Sequence, residues 1–411
     1  MTDHYDSLET RSDAERARDL AARLPQLIRV AQTKSPHYAA ALKGVEANAI
    51  QSPADLAALP VLRKSSLIGL QKNAPPLGGL LTQPLADMGF VFQSPGPIYE
   101  AYPRRPDPAR FARAMFAAGF RRGELVHNTY SYHFTPAGFM TESSAAALGC
   151  PVFAAGGGQT ELQVEAIARL KPVCYAGTPS FLNIILEKAA ELHVDVSSIR
   201  KGLVSAEPLP PSLRASFAAR GIRLYQCYGT AELGLVAYET VALQGLTVDE
   251  GAIVEIVRPG SGDPVPDGEV GEVVVTVLNT EYPLIRFATG DLSAVLEGPC
   301  PTGRTNRRIK GWMGRADQTT KVRGMFVHPE QVTDVIKRHA EIRRARLVVT
   351  SDNHHDVMTL HCEVERGAEH LADTIAASVR DICKLRGEVQ IVGVGTLPND
   401  GKVIDDQRDF K

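Results

Sequence analysis

Residues 173–205 read VCYAGTPSFLNIILEKAAELHVDVSSIRKGLVS, and this stretch decides the fold class. It begins with a short apolar run from Val173 to Ala176. The helical spacing of Phe181 to Leu192 follows, and a second apolar run ends the stretch, from Gly202 to Ser205. A strand, a helix and a further strand in this order are typical of a βαβ unit. The stretch therefore predicts an α/β protein built on a parallel sheet.

The same alternation of strand-like and helix-like segments continues on both sides of this stretch. It includes residues 111–120, 124–130, 143–148, 151–155, 160–170, 211–219 and 222–227. Beyond Gly251 the period changes to that of antiparallel strands, in residues 253–257 and 270–278. Pro266-Asp267-Gly268 favours a tight turn between them. We therefore expect an antiparallel piece next to the parallel sheet.

The two ends of the chain have patterns of their own. Ser12 and Glu15 match a capping box that opens a helix reaching Thr33, whereas residues 60–84 show no clear period and predict loops and short turns. After Asp317, the pattern predicts a helix from Pro329, strands over 345–350 and 358–364, a helix over 371–382 and a strand over 389–392. This last part is expected to be a compact α+β domain of about 95 residues.

Composition and charge exclude several classes of protein. The chain has 411 residues, of which 44% are hydrophobic and 22% charged, as in ordinary globular proteins. The net charge of -2 offers no bulk attraction to nucleic acid or to an anionic membrane. The sequence shows neither a signal-peptide pattern nor an apolar run long enough for a membrane span. Six scattered cysteines without metal-site spacing favour reduced thiols in a cytoplasm.

Four short segments contain residues that could carry chemistry, and each is ambiguous by itself. Tyr228 to Glu232 follows a predicted strand and could face a polyanion with its Mg2+, or form a plain turn. Thr289-Gly290-Asp291 would end a strand over 284–287 with a carboxylate suited to a ribose diol, or with a hydrogen-bonded turn. Gly314 to Asp317 and Lys321 to Gly324 combine two glycines with several charges, and a solvated hairpin explains them equally well. Lys402 lies just past a turn and could be a plain solvated charge.

The order of these four segments is more specific than any one of them. Together with Ser205-Ala206-Glu207-Pro208 and the loop over 156–160, they resemble the adenylate-forming acyl-coenzyme A synthetases. Within these, the chain is similar to the phenylacetate-coenzyme A ligase family. The resemblance covers most of the chain and includes residues 5–11, 59–64 and 176–180.

The resemblance implies a large N-terminal domain of packed α/β subdomains, residues 1–316, and a small mobile α+β domain, residues 318–411, with a hinge near Asp317. It implies that a small carboxylic acid attacks the α-phosphate of ATP, with Mg2+ bound, to give an acyl-adenylate and pyrophosphate. Coenzyme A then displaces AMP. Neither nucleic acid nor membrane is an expected partner, and a homodimer is left open.

By motif position, the resemblance assigns roles to residues of this sequence. Lys402 would bridge the substrate carboxylate and the α-phosphate, Thr230 would face phosphate, and Glu232 would face Mg2+. The residues implied to bind the nucleotide are Ser205, Ala206, Glu207, Pro208, Tyr228, Gly229, Asp291 and Arg315. The side-chain-free Gly324, beside Lys321 and Arg323, would let the pantetheine arm of coenzyme A pass.

One stretch departs from the family pattern. The family has a Ser/Thr/Gly-rich phosphate loop ending in Lys-Pro, whereas residues 92–100 read FQSPGPIYE. Ser94 and Gly96 could contact phosphate, but Pro95 and Pro97 remove amide donors and Glu100 adds like charge. We expect the stretch to lie before a helix and to contact phosphate through few amides. A family cysteine after Cys300 is replaced by Thr302, so no structural metal site is expected.

An aromatic segment borders the acyl substrate in the family. Here the matching residues and the neighbouring loop glycine are Tyr130, Tyr132, Phe134, Ala137, Gly138 and Gly157. Aromatic walls separated by small residues would suit a flat aryl acid, although plain core packing is the alternative. His133 is expected to be structural, because a carboxylate substrate is already ionised and needs no general base.

The leading hypothesis is an AMP-forming ligase that joins an aromatic or related acid to coenzyme A. A second hypothesis keeps adenylation but delivers the acyl group to a carrier protein or an amine. A third is a non-catalytic relative with a decayed phosphate loop. The joint presence of Glu232, Asp291, Arg315 and Lys402 argues against wholesale decay.

Overall fold

The computed structural model describes residues 4–94, 97–316, 318, 320–352, 355–365, 369–398 and 403–408. The chain divides into an N-terminal unit, Met1–Met313, and a C-terminal unit, Gly314–Lys411. Within the described ranges, no helix combines the length and the apolar character needed to cross a bilayer.

The α-helices are α1 Asp13–Lys34, α2 Pro36–Ala41, α3 Leu67–Asn73, α4 Phe111–Ala117, α5 Ala137–Leu148, α6 Thr160–Leu170, α7 Pro179–Glu191, α8 Pro211–Ala219, α9 Pro329–Arg338 and α10 Ala372–Cys383. The strands are β1 Leu62–Arg63, β2 Met88–Ser94, β3 Ile98–Pro103, β4 Val126–Asn128, β5 Val152–Ala154, β6 Cys174–Gly177, β7 Lys201–Val204, β8 Arg223–Thr230, β9 Gly234–Tyr238, β10 Leu246–Val248, β11 Ala252–Val257, β12 Gly271–Val277, β13 Phe287–Ser293, β14 Val295–Leu296, β15 Arg308–Ile309, β16 Thr320–Val322, β17 Met325–Val327, β18 Ile342–Asp352, β19 His355–Val364, β20 Glu388–Gly393 and β21 Ile404–Asp406.

The first helix forms as its capping box predicts. The Glu15 amide donates to the Ser12 hydroxyl, and the Ser12 amide donates to the Glu15 carboxylate at 2.8 Å. The apolar face of α1, with Leu24 and Ile28 fully buried, packs into the largest core cluster. The prediction of loops alone over 60–84 was wrong, because β1 and α3 lie there. Strand β1 has only two residues and is stabilised by parallel pairing with β13, so no local period marks it.

The parallel sheet predicted from residues 173–205 and their flanks is confirmed. Strands β5, β4, β6, β7 and β8 lie in this order and are parallel to one another. Strand β9 then pairs antiparallel with β8, and β10, β15 and β14 extend the sheet to nine strands. Helices α6 to α8 cover part of this sheet through an apolar cluster that includes Tyr175 and Phe217.

The antiparallel piece forms a second sheet in the order β1-β13-β12-β11. The register between β12 and β13 is irregular: Val274 faces Ala288, and Glu272 faces Leu292, so five residues of β13 oppose three of β12. This bulge contains Thr289 to Asp291. The prediction that this triplet follows a strand was wrong, because the strand begins only at Phe287 and runs through the triplet.

Strands β2 and β3 form an antiparallel hairpin with Ser94 paired to Ile98. The expectation that residues 92–100 lie directly before a helix was wrong, since β3 follows them and α4 begins only at Phe111. Tyr228 to Thr230 likewise lie inside β8, where the sequence had suggested a turn after the strand. Extended backbone continues in both places because a neighbouring strand satisfies its hydrogen bonds.

The C-terminal unit has the predicted α+β pattern. Its main sheet has the order β20-β19-β18-β21, and α9 and α10 supply apolar side chains to one core with it. Strands β16 and β17 form a separate hairpin whose turn contains Arg323 and Gly324 with φ of 47° and 83°.

Candidate active site

Four parallel strands end at one edge of the nine-stranded sheet and bring predicted site residues together. Tyr130 lies just beyond β4, Gly177 ends β6, Ser205 follows β7, and Tyr228 lies near the end of β8. The carboxyl edge of a parallel sheet is the usual position for a ligand. The sequence-predicted adenine and acyl residues therefore share one edge.

The loop after β7 is held in place by its own side chains. The Ser205 hydroxyl donates to the Cys227 carbonyl oxygen at 2.8 Å, and the Glu207 carboxylate accepts a hydrogen bond from the Ser180 amide at 2.6 Å, in the first turn of α7. Ala206 has a φ of 74°, an uncommon left-handed conformation for a residue with a Cβ, and Pro208 follows with its fixed φ. The loop is therefore committed to one backbone path next to the carboxyl edge.

Asp291 is oriented by two side chains from other parts of the chain. The Tyr228 hydroxyl donates to Asp291 Oδ2 at 2.7 Å, and the Trp312 indole donates to Oδ1 at 3.1 Å. The Asp291 amide donates to the Thr289 hydroxyl oxygen at 3.1 Å, which fixes the bulge of β13. A carboxylate has about four acceptor positions, and this acceptor-only chemistry is what a ribose diol requires.

The corner between β8 and β9 places a buried carboxylate. A Cβ at Gly229 would lie 2.6 Å from the Gly234 carbonyl oxygen, so this corner requires glycine. Thr230 accepts a hydrogen bond from the Leu233 amide at 3.2 Å, and Glu232 is only 5% exposed. Lys64 Nζ lies 2.8 Å from Glu232 Oε1. Burial alone would raise the pKa of Glu232, but the Lys64 charge, with help from Thr230, holds this pKa below its usual value.

Glu100 lies in the same buried region as Glu232. Its side chain is fully buried at the end of the predicted phosphate segment, and neither carboxylate oxygen has a hydrogen-bond partner among the described residues. Burial, and then the negative charge of Glu232, raise the pKa of Glu100 to about 8, while Ser94 and Lys64 oppose the rise. The buried Ser94 hydroxyl donates to the Ile98 carbonyl oxygen at 3.4 Å. Gly96 lies outside the described residues.

The predicted acyl residues divide into two groups. Tyr130 is half-buried, and its hydroxyl donates to the Gly177 carbonyl oxygen at 2.9 Å. Asn128 donates to the Tyr132 hydroxyl oxygen at 2.8 Å and to the Gly138 carbonyl oxygen at 3.0 Å, which ties this loop to the first turn of α5, where Ala137 also lies. Gly157 follows β5, and a Cβ there would lie 4.0 Å from the Thr129 carbonyl oxygen. Phe134, by contrast, is 76% exposed.

In the C-terminal unit, the predicted coenzyme A residues lie on the β16–β17 hairpin. The Arg323 amide donates to Asp356 Oδ2 at 2.7 Å, and its guanidinium donates to the Asp356 carbonyl oxygen. Lys321 Nζ lies 5.4 Å from the centre of the Phe326 ring. Gly324 has open space around its Cα, and Arg315 is half-buried near the start of this unit. Lys402 and Asp317 lie outside the described residues.

Sequence reasoning missed Lys64, Trp312 and the burial of Glu100. Lys64 lies inside a segment that was matched to the family without a role for its charge, and Trp312 was not singled out although it is the only tryptophan of the chain. A single tryptophan between the glycines at 311 and 314 was the one available signal in the sequence. The pairing of Lys64 with Glu232 has no signal in the sequence, because the two residues come from distant segments.

Comparison with known proteins agrees with this geometry. Residues 110–279 match the family model described as AMP-binding enzyme. The chain is 32% identical to a phenylacetate-coenzyme A ligase of Aromatoleum evansii, over 83% of this chain and 80% of that protein. It is 31% identical to the Escherichia coli K12 phenylacetate-coenzyme A ligase, over 71% and 70% of the two chains.

The fold has a solved counterpart. A 2-hydroxyisobutyryl-CoA ligase, crystallised with its acyl-adenylate 2-HIB-AMP and CoA, aligns with a TM-score of 0.85 and 24% identity, over 98% of this chain and 92% of that one. The α/β fold of this chain is therefore that of the adenylate-forming enzymes.

Fold and site together define an adenylate-forming ligase. More particularly, the chain belongs to the phenylacetate-coenzyme A ligase family. It is an AMP-forming acid-thiol ligase that uses ATP and coenzyme A. Membership of this family does not favour the two alternative hypotheses, which were delivery of the acyl group to a carrier protein or an amine, and a loss of activity.

Proposed function

We propose that this ligase activates an aromatic carboxylic acid of the phenylacetate type, held at the carboxyl edge of β4 and β6. The relatives named for phenylacetate support this proposal, and one structural observation carries it. The ring of Tyr130 is fixed at this edge by its hydrogen bond to the Gly177 carbonyl oxygen. A Cβ at Gly177 would clash with Thr129 and Tyr175, so the position stays without a side chain. An aromatic side chain held in one orientation suits a flat ring.

At the nucleoside end, we assign ribose binding to Asp291, with Tyr228 and Trp312 as the residues that orient it. The adenine would lie against the loop over 205–208. An oxygen of the acid forms a bond to the α-phosphorus while the bond to pyrophosphate breaks, and the thiolate of coenzyme A later attacks the acyl carbon and AMP leaves. Correct placement of the ribose aligns the α-phosphate with the acid and so lowers the entropic cost of the reaction.

At the phosphate end, the residues present fit a divalent cation. Glu232 is a buried carboxylate, Thr230 is beside it, and Glu100 has two buried oxygens without a hydrogen-bond partner among the described residues. Carboxylate oxygens are the protein ligands that Mg2+ prefers. We assign Glu232 to hold Mg2+, which when bound supplies positive charge to the phosphates. In the cation-free protein, Lys64, which lies 2.8 Å from Glu232, supplies positive charge at this end.

We further propose that Lys402 acts in adenylation and that the C-terminal unit rotates about Asp317 between the half-reactions. This proposal rests on the resemblance. Lys402→Ala should lose adenylate formation by at least about 100-fold, because a cation between two anions stabilises the transferring phosphoryl group. It should still convert chemically supplied acyl-adenylate to thioester. Equal loss of both half-reactions in a folded variant would argue against this assignment.

The compartment and the assembly are also proposals. We place the enzyme in the cytoplasm, since the six cysteines are free and buried, as in a reducing compartment. We keep a homodimer as the assembly to test, by sedimentation velocity over a range of protein concentrations. A single monomeric species at every concentration would reject it.

The substrate proposal is tested by pyrophosphate release with ATP, Mg2+ and a panel of acids, with and without coenzyme A. Phenylacetate and related aryl acids should give the highest kcat/KM and an acyl-CoA product. Tyr130→Ala should lower kcat/KM for aryl acids by about 10-fold or more, since it removes the aromatic wall. Leu170→Ala, an exposed leucine on α6, is the matched control. A preference for small aliphatic acids, unchanged in Tyr130→Ala, would overturn the aromatic assignment.

A further inference from the structure

The phosphate end of the site contains two buried carboxyl groups and one half-buried ammonium group. Glu100 and Glu232 are 0% and 5% exposed, and Lys64 makes an ion pair with Glu232. When all three are ionised, two negative charges face one positive charge. An ionised Glu100 therefore has no counter-ion of its own. Such a buried charge is costly, so a bound cation would stabilise the ionised form of this carboxylate.

A buried hydroxyl gives a second and independent observation. The Tyr282 hydroxyl is buried and has no hydrogen-bond partner among the described residues. Its environment includes the charges of both Glu100 and Glu232, which help to raise its pKa well above the usual value, after burial itself. The neighbouring Tyr102 hydroxyl is already used, because it donates to the Ala231 carbonyl oxygen at 2.5 Å. Three oxygens, two from Glu100 and one from Tyr282, are therefore available to a ligand.

These oxygens match the chemistry of a hard divalent cation. Mg2+ is bound in proteins through one or two carboxylates, with water and substrate phosphates completing its shell. Across the described residues, no group of three or more His, Cys, Asp or Glu side chains could hold a metal, so a larger protein cage is not present there. Two carboxylates and a phenol leave positions open for phosphate oxygens.

We propose that Glu100 and Glu232 bind the divalent cation together, with the Tyr282 hydroxyl as a neighbouring oxygen, and that this chain takes up the cation before the nucleotide arrives. In the cation-free protein, the Lys64 ammonium group pairs with Glu232 and so competes with the metal for this carboxylate. The bound cation offsets the charge of Glu100, so that the polyphosphate meets a neutralised site. This inference rests on the proposed assignment of Glu232 to Mg2+ and adds Glu100 to it.

The test is a titration of the full-length protein with Mn2+ in the absence of nucleotide. Electron paramagnetic resonance measures the concentration of free Mn2+ at each step. The wild type should bind one Mn2+, and Glu100→Gln should weaken this binding by at least about 10-fold. Tyr282→Phe should weaken it by a smaller factor. Lys64→Met should tighten it, because the competing ammonium is removed. Glu191→Gln, an exposed carboxylate on α7 that pairs with Lys188, is the control and should bind as the wild type does.

Each outcome decides between the proposals. Wild-type binding of Mn2+ that is unchanged in Glu100→Gln, or no binding without nucleotide, would overturn the role of Glu100. The ligase function would still stand if the same preparation released pyrophosphate with an acid and ATP. Near-ultraviolet circular dichroism identifies any variant that does not fold. Glu100→Gln and Tyr282→Phe remove no hydrogen bond that the described residues make, so they remain informative if Glu232→Gln is unfolded.

Discussion

The two ends of the proposed nucleotide site differ in how many of their polar groups already have hydrogen-bond partners within the protein. At the nucleoside end, Asp291 accepts hydrogen bonds from Tyr228 and Trp312 and lies in a bulge fixed by Thr289. At the phosphate end, Glu100 and Tyr282 keep buried oxygens without hydrogen-bond partners among the described residues. The nucleoside end is preorganised, whereas the phosphate end gains its full set of interactions only with ligands. Changes at the two ends should therefore have different kinetic signatures.

The largest effect is expected at Glu232. Glu232→Gln removes the charge that faces Mg2+, and we expect kcat for pyrophosphate release to fall by about 100-fold or more while KM for ATP changes little. The measurement is steady-state kinetics with ATP and Mg2+ varied separately. Glu239→Gln is the matched control, because Glu239 is also buried and pairs with Arg214 outside the phosphate end. A normal kcat in Glu232→Gln would contradict the prediction that changes at the phosphate end lower kcat.

The pH dependence of stability sharpens the same contrast. The pKa of Glu100 is raised from 4.5 to about 8 in the folded protein, so folding favours the protonated acid. The wild type should therefore lose stability relative to Glu100→Gln as the pH rises from about 5 to 8, and the difference should level off above pH 8. We expect a difference of about 2 to 4 kcal/mol at pH 9. Urea unfolding in excess EDTA measures it, and a difference independent of pH would contradict the prediction.

A smaller effect is expected at the nucleoside end. Asp291→Asn keeps the size of the side chain but removes its negative charge and one of its acceptor oxygens. We expect KM for ATP to rise by about 10-fold, close to 1.4 kcal/mol, with kcat changed less. An Asp291→Asn enzyme with unchanged KM and reduced kcat would place this carboxylate in the chemistry instead of in nucleotide binding.

The smallest effect should come from the residues that orient Asp291. Trp312→Phe removes the indole donor but keeps an aromatic ring. KM for ATP should rise by about 2- to 5-fold, less than for the loss of a direct hydrogen bond to a charged group, because Trp312 acts on the nucleotide only through Asp291. In a double-mutant cycle, Trp312→Phe should add little to Asp291→Asn, because both changes act on one contact. Fully additive effects would show that Trp312 acts independently of Asp291.

Local patterns predicted much of the fold. The capping box of α1, the βαβ stretch over 173–205 and the elements after Pro329 depend on interactions between near neighbours in sequence, which residue spacing records directly. The same reasoning failed at β1 and at Thr289 to Asp291. There the extended backbone is stabilised by pairing with distant strands, and neither segment has a period of its own.

The sequence by itself determined the fold class and the family, because the order of motifs along the chain can be read without knowledge of contacts. It also predicted Tyr228, Glu232 and Asp291 as site residues. Only the tertiary structure decided that Lys64 reaches Glu232, that Trp312 donates to Asp291, and that Glu100 is fully buried. The physical reason is that a side chain's charge state and hydrogen-bond partners depend on which distant segments exclude water around it, and no local spacing encodes that packing.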